Sequence, residues 1–313
     1  MKRDFLTVTD VTPQELRSIL RHAAAFKRRR RGGARPLKDR PLKDRTVALV
    51  FQKPSMRTRV AFEVAILQLG GAAIYLGQED IQLGQREPIK DVARVLSRYV
   101  DGIVLRTFAH RNAEDFARAS RVPIINGLSD LVHPCQALAD LMTIEEHFGH
   151  LKGLRLGYIG DGNNVLHSLM EGAAMTGMHV AVAVPDGYRP DASVWRAATR
   201  WAKTTGATLR CLTDPRRAVR DADVVYTDVW VSMGKEQERQ KRLRVFRPYQ
   251  LNAALLRHAK PGCRVMHCLP AHRGEEITEE VLEGPRSLVF EQAENRLYAH
   301  KALLHFLFGE VTR

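Results

Sequence analysis

The sequence predicts an α/β protein of two doubly wound parallel-sheet domains. Three observations carry this. Short apolar runs alternate with amphipathic stretches along the chain, and strands alternating with helices give parallel sheets covered on both faces. The alternation comes in two series, one on either side of a helical pattern at Pro134 to Phe148. Polar residues recur just after the apolar runs, where open parallel sheets bind their ligands, beyond the carboxyl ends of the strands. A chain of 313 residues suits two domains of about 150 residues each. The expected division is 1–148 and 149–290, with a closing helix over about 291–313 free to pack back on the first domain.

A helical pattern runs from Pro13 into the basic run Lys27 to Arg31, which reads as a solvated helix end. Pro36-Leu-Lys-Asp-Arg40 then recurs at once as Pro41 to Arg45. Five residues are too few for a solenoid unit, so the pair reads as a duplication in a loop. Thr46 to Phe51 is a strand, followed by a helix over Ser55 to Leu69 that Gly70-Gly71 stops. Glu87 to Val100 reads as a helix, Asp101-Gly102 as a turn, and Ile103 to Arg106 and Val122 to Ile125 as strands. The Pro134 to Phe148 helix has His133 at its cap, and proline fits the first turn because its missing N–H has no helical partner there. The second series has strands at Leu154 to Ile159, His179 to Val184, Ala222 to Thr227 and Arg264 to Cys268. A final helix starts near Glu291.

Composition narrows the function. With 44% hydrophobic and 27% charged residues the chain is ordinary globular material, and no stretch approaches the roughly 18 uninterrupted apolar residues of a membrane span. Its 4 cysteines (Cys135, Cys211, Cys263, Cys268) are too scattered for a disulfide scaffold and point to a reducing cytoplasm. The net charge of +14 raises nucleic acid as a partner. Residues 1–45, however, hold 14 Lys/Arg against 5 Asp/Glu, a net +9 that leaves +5 for the rest. No aromatic residues interleave with the basic run, and Asp4, Asp10 and Glu15 interrupt any transit-peptide pattern. Neither a nucleic acid nor a membrane is the expected partner.

The chemistry gathers at the ends of strands. In Phe51-Gln-Lys-Pro-Ser55-Met-Arg57-Thr58-Arg59 a strand ends and a helix opens with Ser, Arg, Thr and Arg in its first turn. A helix N-terminus offers unpaired N–H groups and partial positive charge, which suits phosphate. Ser55 and Thr58 add hydroxyls, and Arg57 can grip an anion with two parallel bonds. These residues alone also allow a plain cap and solvated arginines. The glycines and lysine of a P-loop are missing. Arg106 ends a strand, Asp228 follows one, and Cys268 ends another. Gly160-Asp-Gly162-Asn-Asn164-Val165 stands where a dinucleotide fingerprint would, with Asp186 where a ribose-binding acid would fall, but Val165 occupies the third glycine position. A polar ligand held by asparagines fits better. His133, Cys135, His267, Cys268 and His272 lack the spacing of a zinc site, and no G-x-S-x-G elbow exists. Neither a metal nor a cofactor is expected.

Taken together, these stretches resemble the aspartate/ornithine transcarbamoylase family, on its ornithine-using branch. The resemblance rests on Ser55-Met-Arg-Thr-Arg59, Arg106 in Val-Leu-Arg-Thr, His133-Pro-Cys-Gln136 and Gly160-Asp-Gly-Asn-Asn164. It continues through Asp228-Val-Trp-Val-Ser232-Met-Gly234, His267-Cys-Leu-Pro-Ala-His-Arg273 and Glu294-Asn-Arg296, and spans about residues 45 to 300 in the family's order. Ser232-Met233-Gly234 and His267-Cys268-Leu269-Pro270 mark the ornithine users. The duplicated pentapeptide is the one departure, and it touches no motif.

The resemblance implies carbamoyl transfer from carbamoyl phosphate to the side-chain amine of L-ornithine, giving L-citrulline and phosphate, with the active site in the cleft between the two domains. It implies that Ser55, Met56 (by its backbone), Arg57 and Thr58 hold the phosphate, while Arg106, His133, Pro134, Cys135 and Gln136 grip the carbamoyl end. Gln82 would reach a neighbouring subunit's site in a homotrimer with sites at subunit interfaces, and Arg296 would close the site. Asn164, Asp228, Ser232 and Met233 would bind ornithine, with Cys268 and Leu269 at the reaction centre. Arg106, His133, Asp228 and Cys268 are the expected catalytic groups. A carbamoyltransferase for another amino acid is the nearest alternative; aspartate would need extra cationic groups, which the 228–234 loop does not offer. A nicotinamide dehydrogenase and a basic nucleic-acid-binding protein are remote, the first because of Val165 and the second because of the modest charge outside residues 1–45.

Overall fold

A computed structural model describes residues 2–32, 40–232, 234 and 236–309. Met233 and most of the first pentapeptide copy, residues 36–39, lie outside the described residues. The chain divides into two compact units, Met1–Met142 with Glu294–Arg313, and Thr143–Ala293.

The first unit is built on a parallel sheet of β1 (Thr46–Phe51), β2 (Ala72–Leu76), β3 (Gly102–Arg106) and β4 (Ile124–Leu128), in the order β2-β1-β3-β4. β1 and β3 lie inside and are fully buried except for Thr46, because apolar side chains cover both faces. Ala48, Val50, Ile103, Leu105 and Ile124 pack with Val92, Ala93 and Phe116 from the helices Ile89–Leu96 and His110–Ala119. The helices Pro13–Arg31, Met56–Gln68 and the C-terminal part of Val289–Phe308 belong to the same unit.

The second unit holds a parallel sheet of β5 (Arg155–Ile159), β6 (His179–Ala183), β7 (Leu209–Leu212), β8 (Val224–Thr227) and β9 (Arg264–His267), in the order β7-β6-β5-β8-β9. Ile159, Val225 and Val265 pack with Leu251, Val281 and Val289. Strand order turns at β5, so the loops after β5 and β8 open at the switch point where such sheets bind ligands. The α/β class and both parallel sheets are as the sequence predicts.

Several expectations need correction. The edge strands β2 and β7 escaped the reading; both are only partly buried, and Arg210 interrupts β7. β4 starts at Ile124 and runs to Leu128, since Pro123 has no N–H for the ladder and the Ile124 N–H goes to Asp4 Oδ1 at 2.9 Å. The predicted Glu87 to Val100 helix is Ile89–Leu96, with Pro88 at its cap. Cys268 lies one residue beyond β9.

The basic helix end is solvated only in part. Arg28 to Arg31 are exposed, but Lys27 is buried and its Nζ donates to Asn295 Oδ1 at 2.7 Å. Nor is the second pentapeptide copy an idle loop. Leu42 is buried, its N–H donates to the Leu69 carbonyl at 3.2 Å, and Arg45 donates to the Phe308 carbonyl at 3.1 Å. Leu42 seats against Gly71, where an added Cβ would come within 2.9 Å of the leucine's own Cβ.

Candidate functional site

In the first unit the site grows from the end of β1. Ser55 caps the Met56–Gln68 helix, its Oγ accepting from the Thr58 N–H at 3.3 Å and donating to Thr58 Oγ1 at 3.1 Å. Met56 opens that helix with an exposed side chain, so only its backbone N–H belongs to the site. Arg57 is half-buried and Thr58 fully buried. Next to them in the sheet, Arg106 ends β3 opposite Phe51 and is buried. His133 is buried just ahead of the Pro134–Phe148 helix.

Arg296 ties these pieces together. Its Nη1 donates to Gln136 Oε1 at 3.0 Å and its Nη2 to Thr58 Oγ1 at 2.8 Å. Gln136 is anchored in turn through Nε2 to Asp140 Oδ1 at 2.8 Å. Burial, then the charges of Arg296, Arg106, His300 and Arg57, hold the His133 imidazole well below its ordinary pKa, so it stays neutral. One neutral ring therefore stands within reach of three guanidinium groups beside a helix N-terminus. Such a cluster suits a phosphorylated anion.

Two expected members stand apart. Cys135 is buried with Sγ turned to the Asn126 carbonyl at 3.3 Å, and burial pushes its thiol up to about 12. Its side chain is therefore packing, and only its backbone can serve the turn. Gln82 is exposed, with a left-handed backbone (φ 40°), and lines a surface pocket with Phe51, Pro54 and Tyr75.

In the second unit Asp228 is the centre. It follows β8, is buried, and both carboxylate oxygens are engaged. Asn163 Nδ2 donates to Oδ2 at 2.7 Å, and Cys268 Sγ donates to Oδ1 at 3.0 Å. Asn163 also caps the Asn164–Thr176 helix, its Oδ1 accepting from the N–H groups of Val165 and Leu166 at 3.1 Å each. Sequence reasoning named Asn164; the bond to Asp228 comes from its neighbour, while Asn164 is half-buried in the first helical turn. Leu269 holds a left-handed backbone (φ 56°), unusual for a branched side chain, and its N–H donates to His267 Nδ1 at 2.9 Å. Ser232 is half-buried in the loop after Asp228.

Other contributors were missed. Arg242 is buried, ion-paired with Asp161, and lies over the rings of Tyr188 and Phe246 at 4.9 and 5.2 Å. It fixes the glycine-rich loop after β5. Gly162 is required there because a Cβ would come within 2.5 Å of the backbone at Tyr188, Arg189 and Pro190, a packing reason unrelated to a dinucleotide. His300, one turn beyond Arg296, is fully buried and stacks on Phe62 at 3.9 Å. Its i+4 spacing from the motif arginine was the one available signal.

Asp228, His267 and Cys268 could offer ligand atoms to a metal, all within 4.8 Å. Those atoms already serve one another and their neighbours: Cys268 bonds Asp228, and His267 is held by the Leu269 N–H and by Glu276 Oε1 at 3.2 Å.

Comparison with known proteins also divides the chain in two, with residues 294–307 of the last helix falling in the second part by sequence and in the first unit by structure. Residues 3–146 match the family model for the carbamoyl-P binding domain of aspartate/ornithine carbamoyltransferase, and residues 152–307 match its Asp/Orn binding domain. The ornithine carbamoyltransferase of Pyrococcus horikoshii is 53% identical over 309 residues, covering 99% of this chain and 96% of that one. The anabolic ornithine carbamoyltransferase of Pyrococcus furiosus is 52% identical, covering 99% and 97%. Among solved structures, the Pyrococcus furiosus enzyme superposes with a TM-score of 0.95 at 52% identity, over 99% of this chain and 98% of that one. The anabolic enzyme of Campylobacter jejuni gives 0.91 at 39% identity, over 98% and 99%.

Proposed function

We infer the reaction from the premise that this chain belongs to the aspartate/ornithine carbamoyltransferase family: it moves the carbamoyl group of carbamoyl phosphate to the side-chain amine of L-ornithine, a step of arginine metabolism. The observation that carries this reading is the chemistry of the two half-sites. One unit gathers Arg57, Arg106 and Arg296 around a neutral histidine, and the other holds a buried carboxylate at a switch point.

Carbamoyl phosphate binds with its phosphate on Ser55, the Met56 and Arg57 N–H groups, the Arg57 guanidinium and Thr58. Arg106, His133 and the Pro134-Cys135-Gln136 turn take its carbamoyl end, and Arg296 holds Thr58 and Gln136 in place. Asp228 faces the amine of ornithine, with Asn164, Ser232, Met233 and Leu269 around the rest of it and Cys268 beside the reacting nitrogen. A free amine of pKa about 10.4 is mostly protonated at neutral pH, so attack needs the neutral form. Asp228 orients the amine, and attack on the carbonyl carbon puts negative charge on its oxygen. Arg106, the His133 N–H and the Thr58 hydroxyl stabilise that oxyanion. The C–O bond to phosphate then breaks, the attacking nitrogen gives its surplus proton to the leaving phosphate, and phosphate departs already bound to cations and a helix N-terminus. Positioning and electrostatics supply most of the rate.

The working unit is a homotrimer. Met56, Val60 and Leu67 stay 70%, 49% and 70% exposed along one helix, and Ile74 of edge strand β2 is 47% exposed. Apolar side chains left open on a helix and on a sheet edge are suited to another copy of the chain, to whose site Gln82 then contributes. The four free cysteines fit a reducing compartment, the cytoplasm. The test is an assay of the ureido product, citrulline or carbamoyl-aspartate, with carbamoyl phosphate and either ornithine or aspartate. Product from ornithine alone is expected; product from aspartate, or none, overturns the reading. Sedimentation velocity checks the trimer, and a monomer at micromolar concentration would exclude it.

A further inference from the structure

The run Lys27 to Arg31 is a sequence feature that the reaction does not absorb, and its first member behaves unlike the others. Lys27 is 2% exposed, whereas Arg28 to Arg31 are exposed. Its Nζ lies 2.7 Å from Asn295 Oδ1 and 3.4 Å from Glu294 Oε2, and Arg31 Nη2 reaches the same Glu294 oxygen at 3.3 Å. Asn295 is fully buried. The first helix thus holds the two residues immediately before Arg296, and Arg296 joins Thr58 to Gln136.

A buried ammonium is costly unless its partners are well placed, and an apolar side chain of similar length would fill the space more cheaply. The charge is better understood through what it holds. Successive residues of a helix point about 100° apart, so fixing Asn295 against Lys27 fixes the rotation of the last helix about its own axis. That rotation sets where the Arg296 guanidinium points. His300, one turn on, stacks on Phe62 and limits the same rotation from another side. We propose that Lys27 is a positioning residue for carbamoyl phosphate binding, acting through Asn295 on Arg296. This rests on the carbamoyl phosphate reading above, and all the residues concerned lie in the first unit.

The test compares the full-length protein with Lys27→Met, Lys27→Arg, Arg296→Gln and the Lys27→Met/Arg296→Gln double variant. Carbamoyl phosphate affinity is read by calorimetry, and both KM values by steady-state kinetics. Lys27→Met weakens carbamoyl phosphate binding about tenfold, because a displaced guanidinium loses alignment rather than charge. KM for ornithine at saturating carbamoyl phosphate stays the same, and Lys27→Arg recovers most of the loss. In the Arg296→Gln background Lys27→Met adds no further loss, since groups acting through one another are not additive. Wild-type affinity in Lys27→Met, or a fully additive double variant, overturns the proposal. Should Lys27→Met fail to fold, Asn295→Ser removes the same contact and carries the same expectations. A wild-type protein that does not bind carbamoyl phosphate overturns the functional reading itself, which separates the two failures.

Discussion

A carboxylate held through both oxygens presents its charge in one direction, and Asp228 is such a group, between Asn163 and Cys268. Replacing it with asparagine keeps the shape but removes the charge and turns an NH₂ group toward one of two donors. Asp228→Asn is expected to cut kcat/KM for ornithine by roughly a hundredfold or more, since charge stabilisation at a dry site is worth that much, while carbamoyl phosphate binds as before. Kinetics and calorimetry check both halves, and near-normal ornithine turnover would remove Asp228 from the mechanism. Asp228, Arg106 and Cys268 were legible in the sequence because each stands at or just beyond the end of an apolar run, a position that local pattern fixes. Lys27 and Arg242 were not, because their burial depends on partners 268 and 81 residues away. Asn163 was passed over because its two tasks, capping the helix and holding Asp228, bring together residues 65 positions apart.

At the scale of elements, strands with buried side chains on both faces announced themselves, the edge strands β4 and β9 included, and the partly exposed edge strands β2 and β7 did not. β1 and β3 are unbroken apolar runs, whereas β2 and β7 are short and half-exposed. The duplicated pentapeptide shows the same limit. Its sequence reads as a loop, yet Leu42 is fully buried against the Gly70-Gly71 turn and the Arg45 carbonyl accepts the first N–H of β2 at 2.9 Å. Leu42→Ala is therefore expected to cost about 2–5 kcal/mol of stability, the usual loss for a buried leucine, read as a lower Tm or denaturant midpoint. Deleting Pro41 to Arg45 should be far milder. The two copies are identical, so the product still carries one Pro-Leu-Lys-Asp-Arg directly before Thr46, and loop shortening itself changes closure entropy by about 1 kcal/mol or less. Kinetic constants close to wild type are the expected result for the deletion. A deletion as destabilising as Leu42→Ala would mean that the remaining copy cannot take the same seat.

For the whole molecule the governing quantity is charge, and it makes acid the direction of weakness. The chain carries a net +14 at neutral pH, so each proton taken up below that adds to self-repulsion. Two buried histidines sharpen the effect. His133 and His300 are both held well below their ordinary pKa of 6.5, each chiefly by burial and then by Arg296, with further cationic neighbours around His133. Above about pH 6.5 these histidines are neutral in both folded and unfolded chains and do not affect the balance. Below it the unfolded chain binds protons that the native state refuses, so stability falls as pH falls, at up to about 1.4 kcal/mol per pH unit for each such group. Acidic groups act lower: Glu15, held down to about 2 by Arg3, begins to lose its contribution only as pH drops below 4.5. The interval from 6.5 to 4.5 is therefore where the histidines dominate. His300→Phe isolates one of them, because phenylalanine keeps a ring against Phe62 and cannot take a proton. Net repulsion hardly differs between the two proteins, so their difference in Tm should be small at pH 8 and move in favour of the variant as pH falls to 5. Calorimetric scans across that range decide it: a constant difference would show that His300 does not limit stability in acid.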